Sequence, residues 1–318
     1  MKKHNILLTG ATGYVGGKLL KRLESQGHQV NCLVRTPSKM GHTGRLTNVF
    51  EGDAMVRSTL WKPLAGVDTA YYLIHALGES HDFESKEIQA AENFASMARA
   101  AGVQRIIYIG ALGNERDGLS PHLQSRQNVG HTLRESCIPI LELRASIILG
   151  DGSLSFNLIR DLTEHLPVMV MPRWVASKSQ PIGINDVLDY LVEALDVEIA
   201  HNEIVEIGGA DQMSYGDLMR EYAKQRGIRR LMLPVPVLSP WLSSHWISLF
   251  SDIDATIGRK LIEGIRSPTV VESIRAKELF PDIEPIGAAD AIRRALKASS
   301  AHRVGEPVNL EAEHVHAA

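Results

Sequence analysis

The stretch Asn5-Ile6-Leu7-Leu8-Thr9-Gly10-Ala11-Thr12-Gly13-Tyr14-Val15-Gly16 decides the fold of this chain. An apolar strand runs straight into a glycine-rich turn. The turn opens an amphipathic helix with Val15, Leu19, Leu20 and Leu23 on one side. Such a join aims a helix N-terminus and several free backbone N–H groups at one point, which is how a pyrophosphate is held. Gly10 permits the tight turn, Gly13 lets the phosphates approach, and Gly16 lets helix pack closely on strand. Gly10, Thr12, Gly13, Tyr14 and Val15 are therefore candidate dinucleotide-binding residues.

Working outward, a second strand over Val30 to Val34 ends in Arg35. A site for NAD usually has an acid there, to accept hydrogen bonds from the ribose 2′-OH. A guanidinium suits the 2′-phosphate of NADP instead, and Lys39 supplies a second positive charge. NADP(H) is the expected cofactor, in preference to NAD(H). The alternative is that Arg35 is a solvated residue at a strand end.

Further strands are expected at Asn48–Glu51, Thr69–Ile74, Arg105–Ile109 and Ile140–Arg144. Helices at Val56–Leu64, Ser85–Ala101 and Pro121–Ser136 fall between them. Strand–helix alternation specifies an α/β fold, a doubly wound parallel Rossmann sheet. Beyond it come a helix at Leu154–Leu166, a strand bounded by Pro167 and Pro172, a helix at Asp186–Leu195 and a strand at Glu203–Ile207 that returns to the main sheet. Residues 1–150 plus 183–208 form the expected dinucleotide-binding domain, and 151–182 plus 209–297 a smaller, mostly helical lobe. The polar, alanine-rich 298–318 reads as a disordered tail, with solvated His302, His314 and His316 rather than a metal site.

At 318 residues the chain can bury a full core, and its formal net charge of -3 gives no reason to expect nucleic acid as a partner. Met1-Lys2-Lys3-His4 leads directly into the first strand without a secretory pattern, so a cytoplasmic location is expected. Cys32 and Cys137 fall in or near expected buried strands and form no metal-type pair. The uncharged run Leu231–Ser251 is broken by Pro234, Pro236 and Pro240, which argues against an integral membrane span. It reads as an extended segment followed by a lid-like helix from Trp241, with membrane-surface contact as the alternative.

These residues resemble the short-chain dehydrogenase/reductase superfamily, in its extended and atypical branches. Thr9-Gly10-x-x-Gly13-x-x-Gly16 looks like the extended cofactor signature, and the resemblance covers 5–208. Glu51-Gly52-Asp53 resembles the family's Gly-Asp after strand three, which implies Asp53 near the adenine. Leu73-Ile74-His75 resembles the segment flanking the cofactor's ribose. Ser120-Pro121-His122-Leu123-Gln124-Ser125-Arg126, Leu143-Arg144-Ala145 and Pro172-Arg173-Trp174-Val175 look like a bacterial subgroup of atypical members.

The family's usual chemistry uses a serine, a tyrosine and a lysine, the last two spaced Tyr-x-x-x-Lys. Alignment with that pattern puts His122 at the tyrosine position, Arg126 at the lysine position and Gly110-Ala111 at the serine position. An imidazole titrates near neutral pH and can move a proton, so His122 is the candidate acid, with His75 in reserve. The alternative makes His122 a cap or solvated residue of the helix from Pro121. Arg126 stays charged and is a candidate to hold the nicotinamide ribose, beside Gly110. Arg173, Trp174 and Gln180 are candidates for the substrate pocket. The resemblance implies an NADP(H)-binding oxidoreductase-like protein with an altered active site, acting on an apolar small molecule. The alternative is a non-catalytic NADP(H)-binding redox sensor or regulatory scaffold.

Overall fold

The computed structural model describes residues 2–75, 83–114, 116, 118–235 and 263–305. Strand β1 (Asn5–Thr9) leads into α1 (Tyr14–Ser25), β2 (Gln29–Val34), β3 (Thr47–Glu51), a short α2 (Trp61–Leu64) and β4 (Thr69–Tyr72). There follow α3 (Phe83–Ala100), β5 (Arg105–Ala111), α4 (Pro121–Arg134), β6 (Ile140–Ala145), β7 (Ile148–Leu149), α5 (Leu154–His165) and β8 (Val168–Pro172). The chain continues through β9 (Lys178–Ser179), β10 (Ile182–Gly183), α6 (Ile184–Glu193), β11 (Glu203–Ile207) and β12 (Met213–Ser214). It closes with α7 (Tyr215–Gln225), β13 (Leu231–Val235), α8 (Arg275–Leu279) and α9 (Ala288–Gly305).

Seven strands make one parallel sheet in the order β11-β6-β5-β4-β1-β2-β3, so the winding reverses between β1 and β4. Successive side chains of a strand face opposite sides, and both sides of this sheet are covered. Ile6 and Leu8 pack with Leu19 and Leu23 of α1 and Val187 and Leu191 of α6. Leu7 packs on the other side with Phe94 and Ala98 of α3 and Val129 and Leu133 of α4. A separate core joins Phe156 and Ile159 of α5, Leu218 and Tyr222 of α7 and Ile292 of α9. The doubly wound Rossmann sheet with a smaller helical lobe is thus the observed fold, and Glu203–Ile207 does return to the main sheet beside β6.

Several boundaries differ from expectation. The single helix expected at 56–64 splits into a 3-10 turn (Arg57–Thr59) and α2, because Pro63 has no N–H with which to continue the ladder to Thr59. Strand β4 stops at Tyr72 because the Leu73 N–H turns to Thr9 Oγ1, at 3.0 Å. Helix α9 runs to Gly305, past the expected tail boundary at 298; alanine favours the helix, and Ser299 Oγ donates to the Asp151 carboxylate. His314 and His316 lie outside the described residues. Cys32 is buried, but Cys137 is exposed in the turn after α4, with a left-handed φ of 61°. Leu231–Val235 is extended, as expected, and pairs in parallel with β8. The lid-like helix expected from Trp241 lies outside the described residues. Among those residues no helix is long and apolar enough to cross a membrane.

At the N-terminal edge of the sheet, the His4 N–H donates to Nδ1 of buried His28 at 3.3 Å, and His4 Nε2 lies 3.1 Å from Asp196. Burial, with His4 and Lys3 nearby, lowers the His28 pKa from its ordinary 6.5. The unfolded chain therefore protonates this imidazole at a higher pH than the folded chain does. This contribution to stability is complete above about pH 6.5 and falls as the pH drops below it. Urea midpoints taken from about pH 7.5 down to 5 should decline. His28→Gln should flatten that decline, and an unchanged slope would refute this origin.

Candidate active site

Helix α1 begins at Tyr14 with Gly13 as N-cap; no side chain caps its free N–H groups, and its first turn carries no acid. Those groups are available to an anion. Gly10 has a φ of 71°, and a Cβ there would sit 2.5 Å from the Leu73 carbonyl oxygen. A Cβ at Gly16 would sit 2.1 Å from the Gly10 oxygen, so both positions demand glycine. The cradle thus has the shape a pyrophosphate requires. Thr12 and Gly13 are exposed beside it, and Val15 is half-buried. The Tyr14 hydroxyl is buried against Gly150, where a Cβ would meet it at 2.2 Å, and burial, with Asp151 nearby, pushes its pKa well up. The Tyr14 hydroxyl thus keeps its proton and faces Gly150.

The loops after β1 and β4 meet at the point where the sheet reverses, the usual ligand position in such folds. Thr9 Oγ1 donates to the Tyr71 carbonyl at 3.0 Å and accepts from Leu73 N, which pins Leu73, Ile74 and His75 beside the glycine turn. The rings of His75 and His122 lie 4.9 Å apart between centroids. His75 Nδ1 is 3.1 Å from Glu87 Oε1, and Ser125 Oγ donates to Glu87 Oε2 at 2.6 Å. Burial alone raises the Glu87 carboxyl, but the hydrogen bond and charge of His75, with Ser125 and Arg126, outweigh it and hold the pKa at about 2. Glu87 is therefore a fixed anion behind His75.

Helix α4 is capped by Ser120, whose hydroxyl accepts from Leu123 N at 3.3 Å, so capping does not fall to His122. Arg126 is buried, donates to the carbonyls of Ile74 and Ile109, and lies over the Tyr108 ring with 4.9 Å to its centroid. Its hydrogen bonds tie the ends of β4 and β5 together.

Glu142 is fully buried in β6 and accepts from both Arg134 and Arg144. Gly110 and Gly130 make room for it, since Cβ atoms there would lie 2.7 and 2.6 Å from its carboxylate oxygens. A cavity of about 340 Å³ opens beyond β5, β6 and β11, with Gln127, Arg144, Arg116, Asn114, Glu206 and Glu272 among its walls. That lining is polar.

Arg35 and Lys39 are both exposed, Arg35 just past β2 and Lys39 in the 3-10 turn Pro37–Lys39; neither forms an ion pair among the described residues. Asp53 accepts from Met55 N at 2.9 Å, which closes a turn after β3. Gln180 is spent on backbone groups of Gly209 and Val271 and does not line the cavity. Arg173 and Trp174 fall in a 3-10 turn after β8. The described residues contain no cluster of three or more His, Cys, Asp or Glu suited to a metal ion.

Sequence reasoning missed Glu87, Ser125 and Glu142 as site residues. Glu87 shares its buried stripe on α3 with Ala91, Phe94 and Ala98, and a carboxylate on an apolar stripe was the available signal. Glu142 gave the same signal inside an apolar strand.

Fold and cradle together define an NAD(P)-binding Rossmann protein, and residues 10–144 match the family described as NAD(P)H-binding. The UDP-glucose 4-epimerase of Vibrio cholerae is 24% identical over 283 residues, which cover 79% of this chain and 83% of that protein. The (4-alkanoyl-5-oxo-2,5-dihydrofuran-3-yl)methyl phosphate reductase of Streptomyces griseus is 29% identical over 180 residues, 54% of this chain and 60% of that protein. The chain thus matches less than two thirds of that reductase. The structure of Citrobacter sp. triphenylmethane reductase complexed with NADP(H) aligns with a TM-score of 0.71 at 20% identity, over 92% of this chain and 99% of that one. Residues 10–144 thus form an NAD(P)H-binding domain, and the chain is similar to proteins of the extended short-chain dehydrogenase/reductase type, oxidoreductases among them.

Proposed function

We propose that this protein is an NADP(H)-dependent oxidoreductase in which an imidazole, rather than a tyrosine, handles the substrate's proton. The observation that carries this reading is the His75–His122 pair, backed by the buried Glu87 carboxylate at the reversal of the sheet. Bound NADPH supplies a hydride. In reduction, His122 donates a proton to the oxygen of the substrate. His75, held by Glu87, lies against the His122 ring and helps replace that proton. Arg126 positions the Ile74 and Ile109 carbonyls, and its partners make it a scaffold of the cleft rather than a proton carrier. The test is a screen of carbonyls, enones and quinones for NADPH oxidation by the full chain. A protein that binds NADPH but oxidises it with none of them would overturn the reading in favour of a sensor.

Arg35 and Lys39 hold the 2′-phosphate in this proposal, and Asp53 lies near the adenine. NADPH should bind roughly tenfold to a hundredfold tighter than NADH, and Arg35→Asp should abolish the difference. Calorimetric titration with both cofactors measures this. Equal affinities, or a preference for NADH, would sink the assignment.

A further inference from the structure

We propose that the cavity beyond β5, β6 and β11 is a subsite for the carboxylate of a small hydroxylated acid, with Arg144 as its receptor. The volume, about 340 Å³, lies in the range of small-molecule sites. Arg144 Nε donates to Glu142 Oε1 at 2.8 Å, while Arg134 occupies the other oxygen of that carboxylate. One buried anion therefore serves two guanidiniums, while the charged walls of the cavity, Arg116 and Arg144 against Glu206 and Glu272, balance. The terminal nitrogens of Arg144 have no hydrogen-bond partner among the described residues, and the side chain lines the cavity. A guanidinium fixed along one edge by a buried acid presents its remaining donors in a set orientation, the geometry that suits a bidentate carboxylate.

The other charges of the cavity fit the same ligand. Arg116 is exposed and forms no ion pair among the described residues. Glu206 Oε2 accepts from the N–H groups of Glu272 and Ser273, at 2.7 and 3.0 Å. Glu272 Oε2 accepts from Asn114 Nδ2 at 3.4 Å. The two acids retain acceptor capacity for hydroxyl groups. An apolar ligand would strip water from four charged side chains and replace none of its hydrogen bonds, which disfavours it strongly. Gln127 of the cavity wall follows Arg126 on α4 and donates to the Ala111 and Gly113 carbonyls, at 3.4 and 2.8 Å. The subsite's role in holding substrate rests on the oxidoreductase reading; the recognition of an anion does not.

The full chain saturated with NADPH is titrated calorimetrically with lactate, gluconate and glucuronate, each beside its amide. At least one acid should bind roughly tenfold or more tightly than its amide. Arg144→Gln should erase that difference and leave NADPH affinity unchanged. Arg116→Gln, at an exposed position, should reduce the difference by a smaller factor, so the proposal stays testable if the Arg144 variant fails to fold. No acid–amide difference in any pair, or one that survives Arg144→Gln in a folded protein, overturns it. Acid binding without any hydride transfer sustains the subsite and sinks only the oxidoreductase reading. Turnover of neutral carbonyls with a cavity blind to carboxylates does the reverse.

Discussion

His122→Ala is expected to slow NADPH-dependent reduction by roughly a hundredfold or more, the usual contribution of a positioned acid. The loss should fall on kcat, since the proton is transferred in the transition state and the ring contributes little to ground-state binding. NADPH affinity should hold, because the phosphate cradle lies on other elements. Glu87→Gln should produce a smaller loss of the same kind, since it removes the anion behind His75 and leaves His122 in place. Steady-state kinetics on any substrate found in the screen separates these effects. Turnover that survives loss of both His122 and His75 would refute the assignment of the acid.

Glu142→Ala is expected to destabilise the fold by about 3–5 kcal/mol, the cost of breaking a buried ion pair by removing one partner. The side chain is fully buried, and its loss leaves Arg134 and Arg144 without their shared anion beside an empty space. Glu142→Gln keeps the volume and should cost less. Urea denaturation monitored by circular dichroism measures both. A loss under about 1 kcal/mol for the alanine variant would mean that water replaces the carboxylate, and that Arg144 is not held as described.

The sheet and the phosphate cradle were legible because they depend on local pattern. Period-two apolar strands, the spacing of Gly10, Gly13 and Gly16, and the stripe on α1 each reveal themselves within a few residues. The return of Glu203–Ile207 to the sheet was legible for a similar reason: it is a short, alternating strand at the end of an α/β unit. What escaped were contacts between distant segments. Glu87 meets His75 and Ser125 from three elements, and no spacing rule connects them. Arg126 was legible as a cation near the cofactor, but its commitment to the Ile74 and Ile109 carbonyls depends on tertiary placement. Cavity polarity escaped too, since Arg144, Glu206 and Glu272 come together only once β6, β11 and the segment before α8 are assembled.

The fit of Glu142 between Gly110 and Gly130 bears on how this chain can evolve. Under the resemblance, the family's serine position falls on Gly110-Ala111. A serine at Gly110 would place its Cβ 2.7 Å from the Glu142 carboxylate. A side chain at Gly110 therefore requires the Glu142 carboxylate, held by Arg134 and Arg144, to shift. Gly130 imposes a like constraint from α4, with a Cβ contact at 2.6 Å. The buried carboxylate thus selects against any side chain at either glycine for as long as its two arginines hold it in place.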